Sequence, residues 1–256
     1  MDRDKLSRLF DLTDRVAIVT GGTRGIGRAI AEGFVCANAK VVVASRKADA
    51  CAETRAHLES LGGDVLAVPT HMGDTAALQG LVDQTVARFG RLDIVVNNAA
   101  NALALPIGQF SEDAWEKSLG VNLRGPVFLV EAALPHLKQS GNASIINVIS
   151  AGAFLFSAGT AMYSAAKAGL MAMTRAQAAS LAQFGIRSNA LAPGTVDTDM
   201  VRNNGPEVAE RMANASFMRR AAHTDEMVGP ALFLASDASS FMTGQVILAD
   251  GGLTPH

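Results

Sequence analysis

The chain has 256 residues, 49% of them hydrophobic and 18% charged. That composition excludes a disordered chain and can fill a large α/β core without a disulfide or metal staple. Lys and Arg number 22 and Asp and Glu 24, a formal net charge of −2, so no basic excess exists to neutralise phosphates and no nucleic-acid partner is expected. Cys36 and Cys51 form neither a framework nor a C-x-x-C pair, which fits a reduced, cytoplasmic setting.

Residues 1–15 are dense in charge and lack the apolar core of a signal peptide. No charge-free stretch of about 18 apolar residues follows, so no membrane partner is expected. Strands are predicted at 16–20, 40–45, 64–69, 92–97, 144–150, 186–193 and 245–250, each a short run rich in Val, Ile or Leu. Continuous apolar character, not alternation, marks strands buried on both faces. Helices are predicted between them at 25–37, 48–61, 75–89, 111–138 and 160–184. This alternation specifies one doubly wound, Rossmann-type α/β domain over 1–256, with seven parallel strands in the order 3-2-1-4-5-6-7. Residues 198–226 interrupt it and read as a helical flap over a cleft.

The first strand runs into TGGTRGIG, Thr20 to Gly27. A glycine-rich turn between strand and helix brings backbone N–H groups and a helix N-terminus to a pyrophosphate. Gly21 permits the tight turn, Gly25 close approach and Gly27 tight helix–sheet packing, with Thr23, Arg24 and Ile26 between them. The end of the second strand, where an acid would select NAD(H), carries Ser45 and Arg46, nineteen residues after Gly27. Ser45 can donate to a 2′-phosphate, and Arg46 and Arg24 can pair with it. NADP(H) is therefore expected over NAD(H).

Further along, Tyr163 and Lys167 lie four apart and share a helix face. A phenol beside an ammonium suits proton transfer to and from an alkoxide, because the cation favours the phenolate. Tyr163 is the only tyrosine in the chain. Ser150 ends the fifth strand, where open α/β sheets bind ligands, and can donate to a substrate oxygen. Asn122 stands mid-helix, an unusual place for a residue that prefers caps and turns. The five histidines show no metal-ligand spacing, and no metal is expected.

TGGTRGIG, NNAA at 97–100, Asn122, Ser150, YSAAK at 163–167 and PGTVDT at 193–198 together resemble the short-chain dehydrogenase/reductase family, from about residue 13 to Gly252. SRK at 45–47 and His71 look closest to its NADP-dependent carbonyl and retinal reductases. The resemblance implies that Tyr163 is the acid/base, that Lys167 tunes it and binds the nicotinamide ribose, and that Ser150 orients the substrate. It implies that Asn122 kinks its helix and holds a water linking Lys167 to solvent. By the same resemblance, His71 and Met72 lie at the adenine, although the family commonly has aspartate at 71. Asn98, Ala99 and Ala100 pass beneath the cofactor, and Pro193, Gly194, Val196 and Thr198 wrap the nicotinamide.

The expected activity is hydride transfer between NADP(H) and a small-molecule carbonyl/alcohol pair. An apolar substrate is expected to meet Leu103, Ala151, Phe154, Phe156, Met162, Met200 and Phe217. The alternatives are a 3-oxoacyl-carrier-protein reductase, which would need basic residues such as Arg202, Arg211, Arg219 and Arg220 at the cleft mouth, and a non-catalytic dinucleotide sensor. A homotetramer is expected through helices 111–138 and 160–184, the second of which is rich in small residues.

Overall fold

Seven parallel strands form one sheet in the order β3-β2-β1-β4-β5-β6-β7. They are β1 (Val16–Thr20), β2 (Lys40–Ser45), β3 (Val65–Pro69), β4 (Ile94–Asn97), β5 (Ala143–Val148), β6 (Ile186–Pro193) and β7 (Val246–Ala249). The structure is a computed structural model and describes residues 2–155 and 159–254. Ala17 pairs with Val41 of β2 on one side and with Ile94 of β4 on the other. The strand order therefore reverses at β1, and a crevice opens there at the strands' carboxyl ends.

Successive strand residues face opposite sides, so each apolar run supplies two cores. Ala17, Val19, Val41, Val43, Ile94 and Val96 join Ile30 and Phe34 of α2 (Gly25–Cys36), Leu58 of α3 (Ala48–Ser60) and Leu234 near the protein's C-terminus. Val16, Ile18, Val42, Val95 and Ile145 meet Leu78 and Leu81 of α4 (Thr75–Phe89) on the other side. A short, exposed helix, α1 (Arg3–Arg8), precedes the sheet; its charged sequence carries no periodic apolar signal.

The predicted helix 111–138 is in fact three pieces. They are α5 (Glu112–Leu119), a π-helical turn (Gly120–Arg124) and α6 (Gly125–Ser140). Pro126 has no N–H to give to the Asn122 carbonyl four residues back, so the ladder widens there. The Gly125 N–H bonds instead to the Gly120 carbonyl. A Cβ on Gly125 would overlap the Met72 carbonyl, so this turn sits hard against the loop after β3. Next comes α7 (Ala161–Leu181), which packs on the π-turn where Gly169 meets Leu123.

The predicted flap holds α8 (Asp199–Arg202) and α9 (Pro206–Asn214), closed at its base by a parallel bridge between Val196 and Ala222. The chain then returns through α10 (Val228–Ala235), which bears Leu234, to β7. Edge strand β7 leaves all four residues half-buried.

Candidate active site

A cleft of about 980 Å³ lies above the carboxyl ends of β1, β2, β4 and β5. Of the residues singled out in the sequence, Gly21, Thr23, Arg24, Gly25, Ile26, Gly27, Ser45, Arg46, Met72, Asn98, Ala99, Ala100, Ser150, Tyr163, Lys167, Pro193, Gly194, Val196 and Thr198 line it. Gly21 and Gly25 adopt φ of +63° and +54°, a region L side chains rarely occupy. Arg24 caps α2 with extended backbone and no side-chain cap bond. The first N–H groups of α2 thus lack intrahelical partners and meet the cleft.

The glycine loop is fastened from β4. Thr20 Oγ1 accepts from the N–H of Asn98 (3.0 Å) and Ala99 (3.1 Å), and Asn98 Nδ2 donates to the Thr20 carbonyl (2.8 Å). Asn98 therefore acts here as a brace for the loop. Thr20 went unnoticed in the sequence, where its only signal is a polar residue closing a buried strand.

Tyr163 and Lys167 stand on the first two turns of α7, at the cleft wall. Lys167 is 1% exposed, and its Nζ donates to the Val148 carbonyl at 2.7 Å. That ammonium lies 5.7 Å from the centre of the Tyr163 ring, within the range of a cation–π attraction. Burial pushes Lys167 down to about 8. Burial raises the Tyr163 phenol, and a hydrogen bond with Ser150 pulls it part of the way back. Ser150 Oγ is itself held by the Gly152 N–H at 3.0 Å. Phenol, hydroxyl and buried ammonium thus share one corner of the cleft.

A family model described as enoyl-(acyl carrier protein) reductase matches residues 21–254. A short chain dehydrogenase/reductase of Aspergillus oryzae is 39% identical over 252 residues, covering 96% of this chain and 97% of the relative. The chain is a short-chain dehydrogenase/reductase. Its fold is shared with a gluconate 5-dehydrogenase from Burkholderia cenocepacia in complex with NADP and tartrate, at TM-score 0.93 and 32% identity, covering 98% of this chain and 99% of that one. A 3-oxoacyl (acyl-carrier-protein) reductase from Agrobacterium tumefaciens with NADP bound gives TM-score 0.91 and 33% identity, covering 96% and 97%. The chain is thus an oxidoreductase of alcohol and carbonyl groups. The resemblance to retinal reductases in particular gains no support beyond the family.

In this short-chain dehydrogenase/reductase, two residues of the predicted catalytic and cofactor set, His71 and Asn122, lie off the cleft. His71 is exposed because its Nδ1 accepts from the Gly73 N–H at 3.1 Å, which turns the ring outward. Thr70 and Met72 line the cleft in its place. Asn122 is fully buried at the π-turn. Its Nδ2 donates to the carbonyl and Oδ1 of Asn101 (2.9 and 3.0 Å), and its Oδ1 accepts from the Asn101 N–H (3.1 Å). Asn101, also missed in the sequence, lines the cleft.

The donor set fits a dinucleotide. Thr23 Oγ1 donates to Ser45 Oγ at 3.0 Å, leaving the Ser45 hydroxyl proton free to donate. Arg46 is exposed, and no ion pair among the described residues engages it. Arg24 reaches Asp199 of α8 at 3.4 Å, both side chains being exposed. Gly194 packs so tightly that a Cβ would touch Asp250 Cα at 2.7 Å, which fixes the Pro193–Thr198 wall.

Of the apolar residues expected around the substrate, Met200 lines the cleft. Met162 and Ala151 are buried in the interior, and Phe217 leans over Gly252. Phe154 packs with Leu170 and Ile149. Leu103 does not line the cleft, and Phe156 lies outside the described residues. Among the described residues no three His, Cys, Asp or Glu side chains group to hold a metal ion. No helix there is long and apolar enough to cross a membrane.

Proposed function

We propose that the chain moves hydride between NADP(H) and an apolar ketone, aldehyde or secondary alcohol. The observation that carries this reading is the convergence of Tyr163, Ser150 and Lys167 on one wall of the cleft whose floor is the glycine loop. A bound dinucleotide supplies or accepts the hydride. Ser150 donates to the substrate oxygen as negative charge develops there. Tyr163 gives its phenolic proton to that oxygen in reduction and takes it back in oxidation. Burial keeps the phenol protonated, and the Lys167 ammonium favours the phenolate the reverse reaction needs. Val148 occupies one of three ammonium hydrogens, so two remain for the ribose and for water. Asn122 holds the water end of that path.

NADP(H) is favoured by Ser45 and Arg46 at the end of β2, where no carboxylate opposes a 2′-phosphate. An apolar substrate is favoured because Ala102, Ile149, Met200 and Val201 line the far end of the cleft. Of the asparagines there, Asn204 is occupied at home, its Nδ2 donating to the carbonyls of Met200 and Val201. For the acyl-carrier alternative, Arg202 does line the cleft but is paired with Asp197, and Arg220 is paired with Glu226. We further propose a homotetramer in a cytoplasmic setting. Trp115 of α5 and Phe128 of α6 are exposed apolar side chains on the expected helical interface.

The test is a substrate panel of simple ketones, aldehydes, retinoids, sugar lactones and acyl thioesters, each with NADPH and NADH. Preferential reduction of apolar carbonyls with NADPH supports the reading. A preference for sugar acids or acyl thioesters replaces its substrate, and cofactor binding without turnover of any class indicates a sensor. Light scattering at micromolar concentration decides the tetramer.

A further inference from the structure

We propose that Asn147 is a positioning residue for the reaction: through Thr174 and Gln177 it fixes where α7 stands on the sheet, and so where Tyr163 and Lys167 stand beside Ser150. This rests on the proposed chemistry of Tyr163, Lys167 and Ser150. Asn147 is fully buried in β5. Its Nδ2 donates to Thr174 Oγ1 at 2.9 Å and to Gln177 Oε1 at 3.1 Å, so both of its N–H groups go to α7. Its Oδ1 accepts from Asn97 Nδ2 at 2.9 Å, and Asn97 Nδ2 reaches on to the Pro126 carbonyl of α6 at 3.3 Å. Gln177 Oε1 also accepts from Ser188 Oγ of β6 at 3.0 Å. Thr174 gives its own proton to the Leu170 carbonyl at 2.8 Å and is left as an acceptor. A polar seam thus crosses the core from α6 through β4 and β5 to α7 and β6.

The seam shares its strand and its helix face with the reacting groups. Asn147 immediately precedes Val148, whose carbonyl holds Lys167 Nζ at 2.7 Å, and stands three residues before Ser150. Thr174 lies seven residues after Lys167 and eleven after Tyr163, spacings that at 3.6 residues per turn put all three on one face of α7. The apolar contacts of α7, made by Met162, Ala166, Leu170, Ala178 and Leu181, come from burial, which is non-directional. A hydrogen bond demands its distance and angle. Polar groups in a core cost desolvation, and their best-attested use is to fix a register. The tolerance at the site is small, since a displacement of about 1 Å between reacting groups can cost about a hundredfold, and successive residues of a helix are only about 1.5 Å apart along its axis.

The experiment compares Thr174→Ser, Thr174→Val, Asn147→Val and Tyr163→Phe in the full chain. NADPH reduction of 9,10-phenanthrenequinone, a flat diketone reactive toward hydride, serves as the activity probe. Thr174→Ser keeps the acceptor for Asn147, so kcat per folded molecule should stay within about twofold. Thr174→Val keeps the shape but loses one anchor and should lower kcat about threefold. Asn147→Val loses both anchors and should lower it at least about tenfold. NADPH affinity should stay within about twofold throughout, since the glycine loop and Ser45 are untouched.

Tyr163 is the only tyrosine in the chain, so phenolate absorbance followed against pH reads its surroundings with no cofactor or substrate present. Burial raises this phenol, and its hydrogen bond with Ser150 pulls it part of the way back. A displaced helix loses that bond, so the midpoint should rise in Asn147→Val and hold in Thr174→Ser; a ring exposed by general loosening would titrate lower. A midpoint that falls or holds in Asn147→Val overturns the inference. So does a Thr174→Ser slowed as much as Thr174→Val, which would make the lost methyl group and not the acceptor the cause. That pair carries the test if Asn147→Val does not fold. Unchanged kcat in Thr174→Val and Asn147→Val beside a slowed Tyr163→Phe overturns the inference and leaves the proposed chemistry standing. A Tyr163→Phe as fast as wild type removes that chemistry and the inference together.

Discussion

Asp93 at the amino end of the sheet and Lys167 at its carboxyl end bury charge in opposite ways. At the amino end, Asp93 is fully buried and fully engaged. It accepts from the Val16 N–H at 2.9 Å, from Arg91 Nε and Nη2 at 2.9 and 2.8 Å, and from Ser140 Oγ. Nearby, Arg187 gives its Nη hydrogens to the carbonyls of Leu234, Ser236 and Ser239 and to Ser239 Oγ. Arg15 and Asn142 both engage Asp237. At the carboxyl end, Lys167 is as deeply buried yet has one acceptor. Burial by itself therefore does not mark the site. A buried charge with unused hydrogen-bonding capacity beside a cleft does, because that capacity is what a ligand can take up.

The sharpest break of this contrast is Tyr163→Phe. Removing the hydroxyl leaves the ring packing and the glycine loop untouched but removes the proton donor. Turnover should fall by about 10²–10⁴-fold, the range for general acid–base catalysis. NADPH binding, followed by fluorescence titration, should stay unchanged. Near-normal turnover would take Tyr163 out of the chemistry.

Asp93→Ala is the matching change at the amino end. It leaves the buried Val16 N–H without its acceptor, a loss of about 1–3 kcal/mol, while the half-exposed Arg91 is taken up by water. Urea unfolding should show that loss, and the thermal midpoint should drop by roughly 2–12 °C at about 2–4 °C per kcal/mol for a chain this long. The kcat per folded molecule should hold. A lower kcat at full folding would show that the two ends are coupled.

Most of the framework was legible in the sequence because strands buried on both faces read as unbroken apolar runs. β6 keeps its predicted limits, and β5 stops at Val148 although the Ile149 N–H still bonds to the Leu191 carbonyl. The glycine loop, Ser45, Ser150, Tyr163 and Lys167 were legible because each sits at a strand end or on one helix face. What escaped depends on contacts distant in sequence. Thr20 meets Asn98 across 78 residues and Asn101 meets Asn122 across 21. His71 turns outward for the sake of one neighbouring N–H. The break in helix 111–138 was expected at Asn122 from the family resemblance alone; its local signal, the Gly125–Pro126 pair, is one that a reading by apolar period passes over.

Lys167 sharpens the comparison through pH. Its folded value of about 8 lies below the ordinary 10.5, with burial the cause. Between those values the unfolded chain binds more protons than the folded one, so this group makes the ligand-free protein more stable as pH rises from about 8 toward 10.5. Below about 8 both states carry the charge and the full cost persists. Lys167→Met should remove a cost on the order of 3 kcal/mol at pH 7, at about 1.36 kcal/mol per pKa unit. Urea unfolding of both proteins from pH 7 to 10 checks it: the advantage of the variant should shrink as pH rises. An advantage that does not change with pH would mean Lys167 is neutral or already compensated in the fold.

The smallest expected effect lies where Ser45 and Arg46 line the cleft, in the choice between cofactors. Ser45 accepts from Thr23 Oγ1 and keeps its own proton to give, and Arg46 has no carboxylate partner among the described residues. Arg24 differs, since Asp199 already faces it at 3.4 Å; a 2′-phosphate must compete for that guanidinium, which weakens its contribution. The proposed NADP(H) selectivity therefore rests mainly on Ser45 and Arg46. Each charge-assisted contact is worth about 1.5–3 kcal/mol, and about 1.4 kcal/mol is tenfold. The Ser45→Asp/Arg46→Ile double variant removes both and places a carboxylate where the phosphate would lie. Its ratio of kcat/KM for NADPH over NADH should fall by at least about a hundredfold, two contacts at about 1.5 kcal/mol or more each. Asp199→Ala, which frees Arg24, should move the ratio the other way by a smaller factor. An unmodified protein that uses NADH as well as NADPH would remove the basis of both expectations, because it would mean that Ser45 and Arg46 are solvated residues opening α3.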